Sequence, residues 1–260
     1  MEDSIGYKLL IRSNKGVELT DKGRIVLQYA DNIVRTYETM LESLKIDDQS
    51  AQDIKIEACW SIATYSLPCV MYKIKNKFPD NRYQLNSNDG LQIEQNVMNN
   101  ICDLGVIYGK PQNEDLSYHH IGVDKLVLVA SPTYEIEEEI NFEDLLNHPL
   151  VLLNDSTNIQ ENISVKLRDL KKDMKDLNVL YYSDSTESVK SSVLNDYGIG
   201  FLPYIAIKKD VYRKQLKMIT ISDFSIEYDM YLIYDKRITK NSVLNDFISY
   251  FMKIAQKSLC

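Results

Sequence analysis

Four short polar stretches carry most of the residues that could bind a small molecule: Ser61-Ile62-Ala63-Thr64, Asn88-Asp89-Gly90, Asn154-Asp155-Ser156-Thr157-Asn158 and Ser183-Asp184-Ser185-Thr186-Glu187. Each stands where an apolar run ends and a helical pattern begins. Ser, Thr, Asp and Asn cap helices by accepting orphan backbone N–H bonds. The same helix starts carry partial positive charge and free donors, which suits carboxylates and other anions. Capping alone explains any one of these stretches; four of them in one chain point to a shared cleft. A catalytic reading would make Cys59 a thiolate and draw a base from His119, His120 or His148. Nothing in the spacing sets a base against Cys59 or supplies a third, orienting group, so catalysis is not expected. The His119-His120 pair lacks the cysteine or carboxylate spacing of a metal site, and no cofactor is expected.

The elements that would position these stretches follow from periodicity. Ile54–Cys59 reads as a strand, about Ala63 to Phe78 as a helix, Tyr83–Leu85 as a strand, Leu91–Asn99 as a helix, and Leu104–Tyr108 and Leu126–Ala130 as strands. The cycle repeats with strands at Leu150–Leu153, Val179–Tyr182 and Gly198–Leu202 and helices at Ile159–Lys172 and Glu187–Asn195. A strand at Met230–Tyr234 and an amphipathic helix at Ser242–Ile254 close the chain. Strands alternating with helices predict α/β layers with largely parallel sheets. Two cycles without a long linker predict two subdomains joined by one or two crossing strands.

Ahead of this region, Val26, Ala30, Ile33, Tyr37, Met40 and Leu44 fall at alternating steps of four and three. That is a heptad seam, flanked by a second row of Leu27, Val34 and Leu41. The polar stretch from Lys45 to Asp53 keeps this helix from folding back easily, so pairing with a second chain is the expected way to bury the seam. The 260 residues include 44% hydrophobic and 26% charged, ordinary for a folded globular protein. No apolar run reaches membrane-span length and no leader follows Met1, so a cytoplasmic protein without membrane contact is expected. The four cysteines, Cys59, Cys69, Cys102 and Cys260, show neither zinc spacing nor a disulfide framework and read as reduced, mostly buried thiols. A net charge of −8 argues against a free-standing nucleic-acid binder.

The order of several motifs resembles the LysR-type transcriptional regulators. Ile5-Gly6-Tyr7-Lys8-Leu9-Leu10-Ile11-Arg12 and Val17-Glu18-Leu19-Thr20-Asp21-Lys22-Gly23 are similar to that family's wing and the start of its linker helix, with Ile11 where an aromatic is usual. Ser61-Ile62-Ala63-Thr64-Tyr65-Ser66-Leu67-Pro68, Asp103-Leu104-Gly105-Val106 and Tyr197-Gly198-Ile199-Gly200-Phe201-Leu202-Pro203 resemble later motifs in the right order. The resemblance implies a bilobed, periplasmic-binding-protein-like (type II) α/β effector domain behind a wing remnant and a dimerisation helix. The corresponding divisions are 1–19, 20–45 and 53–260, with one lobe from 53–127 plus 228–260 and the other from 128–227. It further implies an effector between the lobes, touching Cys59, Ser61, Asp89, Gly90, Ser156, Asn158 and Phe201. Homodimers or tetramers would act on DNA through the full-length protein; the family's recognition helix lies upstream of the wing, and most of that helix-turn-helix is expected to be missing here. Asp89 stands where the family often has Asn, and Glu57 and Asp155 lie nearby in sequence, so a zwitterion or donor-bearing carboxylate is expected in preference to a simple dianion. The competing reading is a solute-binding protein of the same bilobed fold; it leaves the helix from Thr20 to Leu44 without a use.

Overall fold

The computed structural model describes residues 1–13, 16–43, 53–154, 159–222, 224–237 and 242–258. A short helix α1 (Glu2–Ile5) leads into the antiparallel hairpin β1 (Leu10–Ser13) and β2 (Gly16–Leu19). The long helix α2 (Asp21–Ser43) starts at Thr20, whose hydroxyl accepts the Gly23 N–H at 2.9 Å and donates to the Lys8 carbonyl at 2.8 Å. Gly23 is required by space: a β-carbon there would lie 2.1 Å from the Leu9 carbonyl oxygen. The Leu-Thr-x-x-Gly pattern is thus a cap followed by a close backbone crossing that locks the hairpin to the helix start.

The α/β region follows, as β3 (Asp53–Cys59), α3 (Leu67–Lys77), β4 (Arg82–Asn88), α4 (Gly90–Met98), β5 (Leu104–Tyr108) and β6 (Leu116–Ala130). Next come β7 (Glu139–Ile140), α5 (Phe142–Leu145), β8 (Leu150–Leu153), α6 (Ile159–Asp169), β9 (Val179–Ser183), α7 (Thr186–Leu194), β10 (Gly200–Pro203) and α8 (Tyr204–Tyr212). The chain ends with β11 (Lys217–Ile221), β12 (Ile226–Asp235) and α9 (Ser242–Ser258). β3 pairs in parallel with β4 and β5, while β12 runs antiparallel between β5 and β6. Towards its C-terminal end β6 changes company: its residues from Leu126 to Ala130 pair antiparallel with β10 and β11. β8 and β9 form a parallel pair that joins the second half through a parallel bridge between Leu150 and Ile199. β6 and β12 therefore traverse both halves of the α/β region.

Apolar burial follows the same division. One cluster contains Ile54, Ile56, Leu104, Val106, Leu232, Phe247 and Phe251; a second contains Leu128, Val151, Leu152, Val189, Ile199, Leu202 and Ile219. Both faces of β5, β8 and β10 are buried, which explains their unbroken apolar runs. The two halves meet at Asp124 of β6. Its buried carboxylate accepts the Tyr108 hydroxyl at 2.9 Å, the Lys125 N–H at 2.9 Å and the Ile205 N–H at 3.2 Å. Burial pushes its pKa up, against the lowering effect of those donors.

β6 is 15 residues long, not confined to 126–130, and His119-His120 lies inside it. Both strand faces are open along Ser117–His120, which suits polar side chains; His119 bonds Tyr234 at 2.9 Å and His120 bonds Asp229 at 2.9 Å across to β12. The helix expected from Ala63 begins instead with a π turn, Ile62–Ser66, before α3. Pro68 has no N–H for the Thr64 carbonyl and its ring would crowd that oxygen in a regular α-helix; the wider turn, closed by the Leu67 N–H on the Ile62 carbonyl, relieves this. The seam of α2 is described through Met40, and Leu44 lies outside the described residues. Val26 and Ala30 are half-buried, whereas Ile33, Tyr37 and Met40 are exposed, Ile33 by 69%. The helix touches its own α/β region where the Thr36 hydroxyl donates to the Asn99 carbonyl at 3.3 Å.

Candidate functional site between the two halves

A cavity of about 370 Å³ opens between the β3–α3 junction and the second half of the α/β region. Trp60, Thr64 and Tyr65 form one wall; Asn154, at the end of β8, and Asp184, Ser185, Thr186 and Glu187, at the start of α7, form the other. Three of the four polar stretches picked out in the sequence thus contribute to one concavity. Thr64 and Tyr65 of the first wall belong to the π turn itself, and Trp60 precedes it. On the opposite wall the Ser185 hydroxyl caps α7 by accepting the Ser188 N–H at 3.3 Å.

The two walls are tied together. The Tyr65 hydroxyl donates to the Glu187 carboxylate. Lys190, one turn along α7, lies 2.9 Å from the same carboxylate and 3.4 Å from Asp210 of α8, with its ammonium 5.2 Å from the centre of the Tyr65 ring. Burial raises the pKa of Glu187, but the Tyr65 hydroxyl and the Lys190 ammonium outweigh it and hold the carboxyl below its ordinary value. Tyr65 is shifted upward, first by burial and then by the hydrogen bond and charge of Glu187. Each shift favours a neutral phenol donating to an ionised carboxylate.

The residues expected from the family resemblance are distributed unevenly around this cavity. Ser61 and Cys59 are buried just behind the first wall. Asp89 caps α4 by accepting the Gln92 N–H at 2.9 Å, and Gly90 opens that helix; neither lines the cavity. Phe201 is buried against Phe224, with ring centres 5.6 Å apart, and lines a different cavity on the second half. Ser156 and Asn158, with Asp155, lie outside the described residues. Glu57 is buried and accepts the Asn96 amide at 2.8 Å, facing α4 and away from the cavity. The sequence reading did not single out Tyr65, Asp184, Glu187 or Lys190. Asp184 and Glu187 belonged to a recognised capping stretch and Tyr65 to a quoted motif, so the signal was present; the pairing across 122 positions was not.

The cysteine and histidines that a catalytic reading would enlist lie apart from one another. Cys59 is buried, and the three histidines are engaged elsewhere: His119 and His120 with β12, His148 with the Tyr134 hydroxyl at 3.3 Å. Burial raises the pKa of Cys102, which fits an inert thiol, while Cys69 is exposed and Cys260 lies outside the described residues. Among the described residues no group of three or more His, Cys, Asp or Glu side chains could hold a metal ion, and no helix is long and apolar enough to cross a membrane.

A bilobed α/β domain with a cavity between its halves, carried behind a long helix, has the architecture of a ligand-binding domain. The model of the LysR substrate binding domain matches residues 47–255, so the chain belongs to the LysR family of transcriptional regulators and carries its effector-binding domain. It is 25% identical over 236 residues to a probable RuBisCO transcriptional regulator of Trieres chinensis, covering 87% of this chain and 76% of that protein. It is also 25% identical over 255 residues to the HTH-type transcriptional regulator CitR of Bacillus subtilis, covering 96% and 86%. Among solved structures, the CcmR regulatory domain of Synechocystis PCC6803 in complex with 2-PG superposes with a TM-score of 0.69 at 17% identity, covering 79% of this chain and 98% of that one. CrgA of Neisseria meningitidis, a LysR-type transcriptional regulator, gives a TM-score of 0.67 at 18% identity, covering 98% and 86%. The effector binding domain of QuiR in complex with shikimate gives 0.67 at 15% identity, covering 80% and 99%. These likenesses establish the type II bilobed fold expected from the sequence.

Proposed function

We propose that the cavity between Trp60 and Glu187 is the effector site, and that its ligand biases the angle between two lobes, 53–127 with 228–260 and 128–227. The observation that carries this reading is that three strand–helix junctions, far apart in sequence and drawn from both halves, line one cavity. A ligand touching both walls favours whichever lobe angle makes more contacts with it, and can shift the equilibrium only by that difference. The protein acts as a binder of its effector and not as a catalyst, a reading supported by the engaged histidines and the buried Cys59.

The ligand class is a small molecule bearing a carboxylate and an amine. The start of α7 presents backbone N–H groups beyond the one taken by Ser185, which suits a carboxylate. Asp184 on the same wall suits an ammonium, while Glu187 is engaged by Tyr65 and Lys190. The solved relatives bound to 2-PG and shikimate supply the precedent for small-molecule ligands in this fold. Calorimetry against a panel of amino acids and dicarboxylates is the test. Tight binding of a simple dianion, with no amine-bearing ligand bound, removes the zwitterion reading.

The heptad seam of Val26, Ala30, Ile33, Tyr37 and Met40, with Leu44 next in the sequence pattern, pairs two chains, giving a homodimer, or a tetramer if dimers associate further. The exposure of Ile33, Tyr37 and Met40 supports this. Such an assembly carries the lobe movement to DNA-binding heads in the cytoplasm.

A further inference from the structure

A second cavity is more apolar than the one between the halves. It measures about 680 Å³, a size that suits a small ligand, and it lies on the second half, beside the strands that cross to the first. Leu126, Leu128, Phe201, Ile219, Ile221 and Phe224 front it, all at least nine-tenths buried by their neighbours yet presenting apolar surface to the opening. Covering such surface is favourable by roughly 25 cal/mol per Å².

The polar groups at this cavity select the rest of the ligand. The Asp124 carboxylate is occupied by Tyr108, Lys125 N–H and Ile205 N–H. At the rim, Lys125 and Glu227 neutralise each other at 3.1 Å. Lys208 of α8 also lines the cavity and makes no ion pair with a described residue; it feels Asp124 only through space. A cationic ligand would meet this ammonium and find both carboxylates already engaged. A dianion would leave one charge against apolar wall, which is costly. We propose that this cavity is a second ligand site, distinct from the one between the halves, for an amphiphilic monoanion: an apolar tail lies against Phe201, Ile219 and Phe224, and a single carboxylate pairs with Lys208. Its walls include Val123–Leu128 of β6 and Ile226–Glu227 of β12, the segments that join the two halves. Occupancy would stiffen that junction and so provide a second input to the lobe angle; that consequence rests on the effector-site reading, whereas the binding does not.

The experiment is calorimetry on the full 260-residue chain with octanoate, 1-octanol and octylamine as probes. Octanoate should bind at one site, octanol more weakly, and octylamine not at all. Lys208→Met should weaken octanoate about tenfold while leaving octanol unchanged, as loss of one charge-assisted contact requires. Met218→Glu, at the exposed rim and therefore safe for folding, should weaken octanoate by repulsion. The proposal is overturned if octanoate does not bind, if octylamine binds equally well, or if Lys208→Met leaves octanoate affinity intact. It is also overturned if Trp60→Arg, at the other cavity, abolishes octanoate binding, because the ligand would then sit between the halves. A change in assembly state on Met218→Glu, seen by sedimentation without ligand, would make this face a contact between copies and overturn it as well.

Discussion

Single residues carry much of the specification. Gly23 is the clearest case, since a methyl group there would overlap the Leu9 carbonyl. Gly23→Ala should cost about 1–3 kcal/mol at the helix start, the usual range for overpacking, read as a lower midpoint for the α2 signal in denaturant. The Tyr65–Glu187 contact is a second case. Tyr65→Phe keeps the ring beneath Lys190 and removes only the donor, so a loss of about 1 kcal/mol is expected by urea unfolding. The contact also has a pH signature. Glu187 titrates below its ordinary value of about 4.3, so its contribution is fully present above that pH and is lost as pH falls through the lowered value. Glu187→Gln should flatten the acid limb of the stability–pH profile; an unchanged limb would show that the carboxylate is not held by Tyr65 and Lys190.

The elements were legible to different degrees, for physical reasons. β5, β8 and β10 were plain because both their faces are buried, and α2 was plain because its seam runs nearly unbroken. β6 was half visible. Its first part, with Ser117, His119 and His120, faces open space and carries no apolar alternation. α8 and β11 were not singled out, because α8 follows β10 at Pro203 with no intervening loop or capping side chain. The π turn was invisible to a period of 3.6 or of 2, though Pro68 was its cause in plain view. For α2 the prediction is direct: Ile33, 69% exposed in the single chain, sits mid-seam. Ile33→Asp should shift the sedimentation profile toward monomer, and an unchanged profile would mean that the seam is not the interface.

For the whole molecule, the bilobed architecture and its family were readable from the order of the motifs, but the composition of the cavity was only partly so. Capping chemistry marked Thr64, Asn154 and Ser185, because the same residue types serve caps and ligand sites. The Tyr65–Glu187 bridge depends on how two halves meet, which no local pattern encodes. Asp89 shows the opposite outcome: its side chain is a plain cap, bonded to Gln92. The central claim is that an effector binds between Trp60 and Glu187. Trp60 is the only tryptophan, 53% exposed on the cavity wall, and therefore reports on that space without labelling. The decisive measurement is its fluorescence during titration with a small amine-bearing carboxylate found to bind by calorimetry. The emission should change saturably with the calorimetric affinity; full calorimetric saturation with no change in Trp60 emission would contradict the placement of the site.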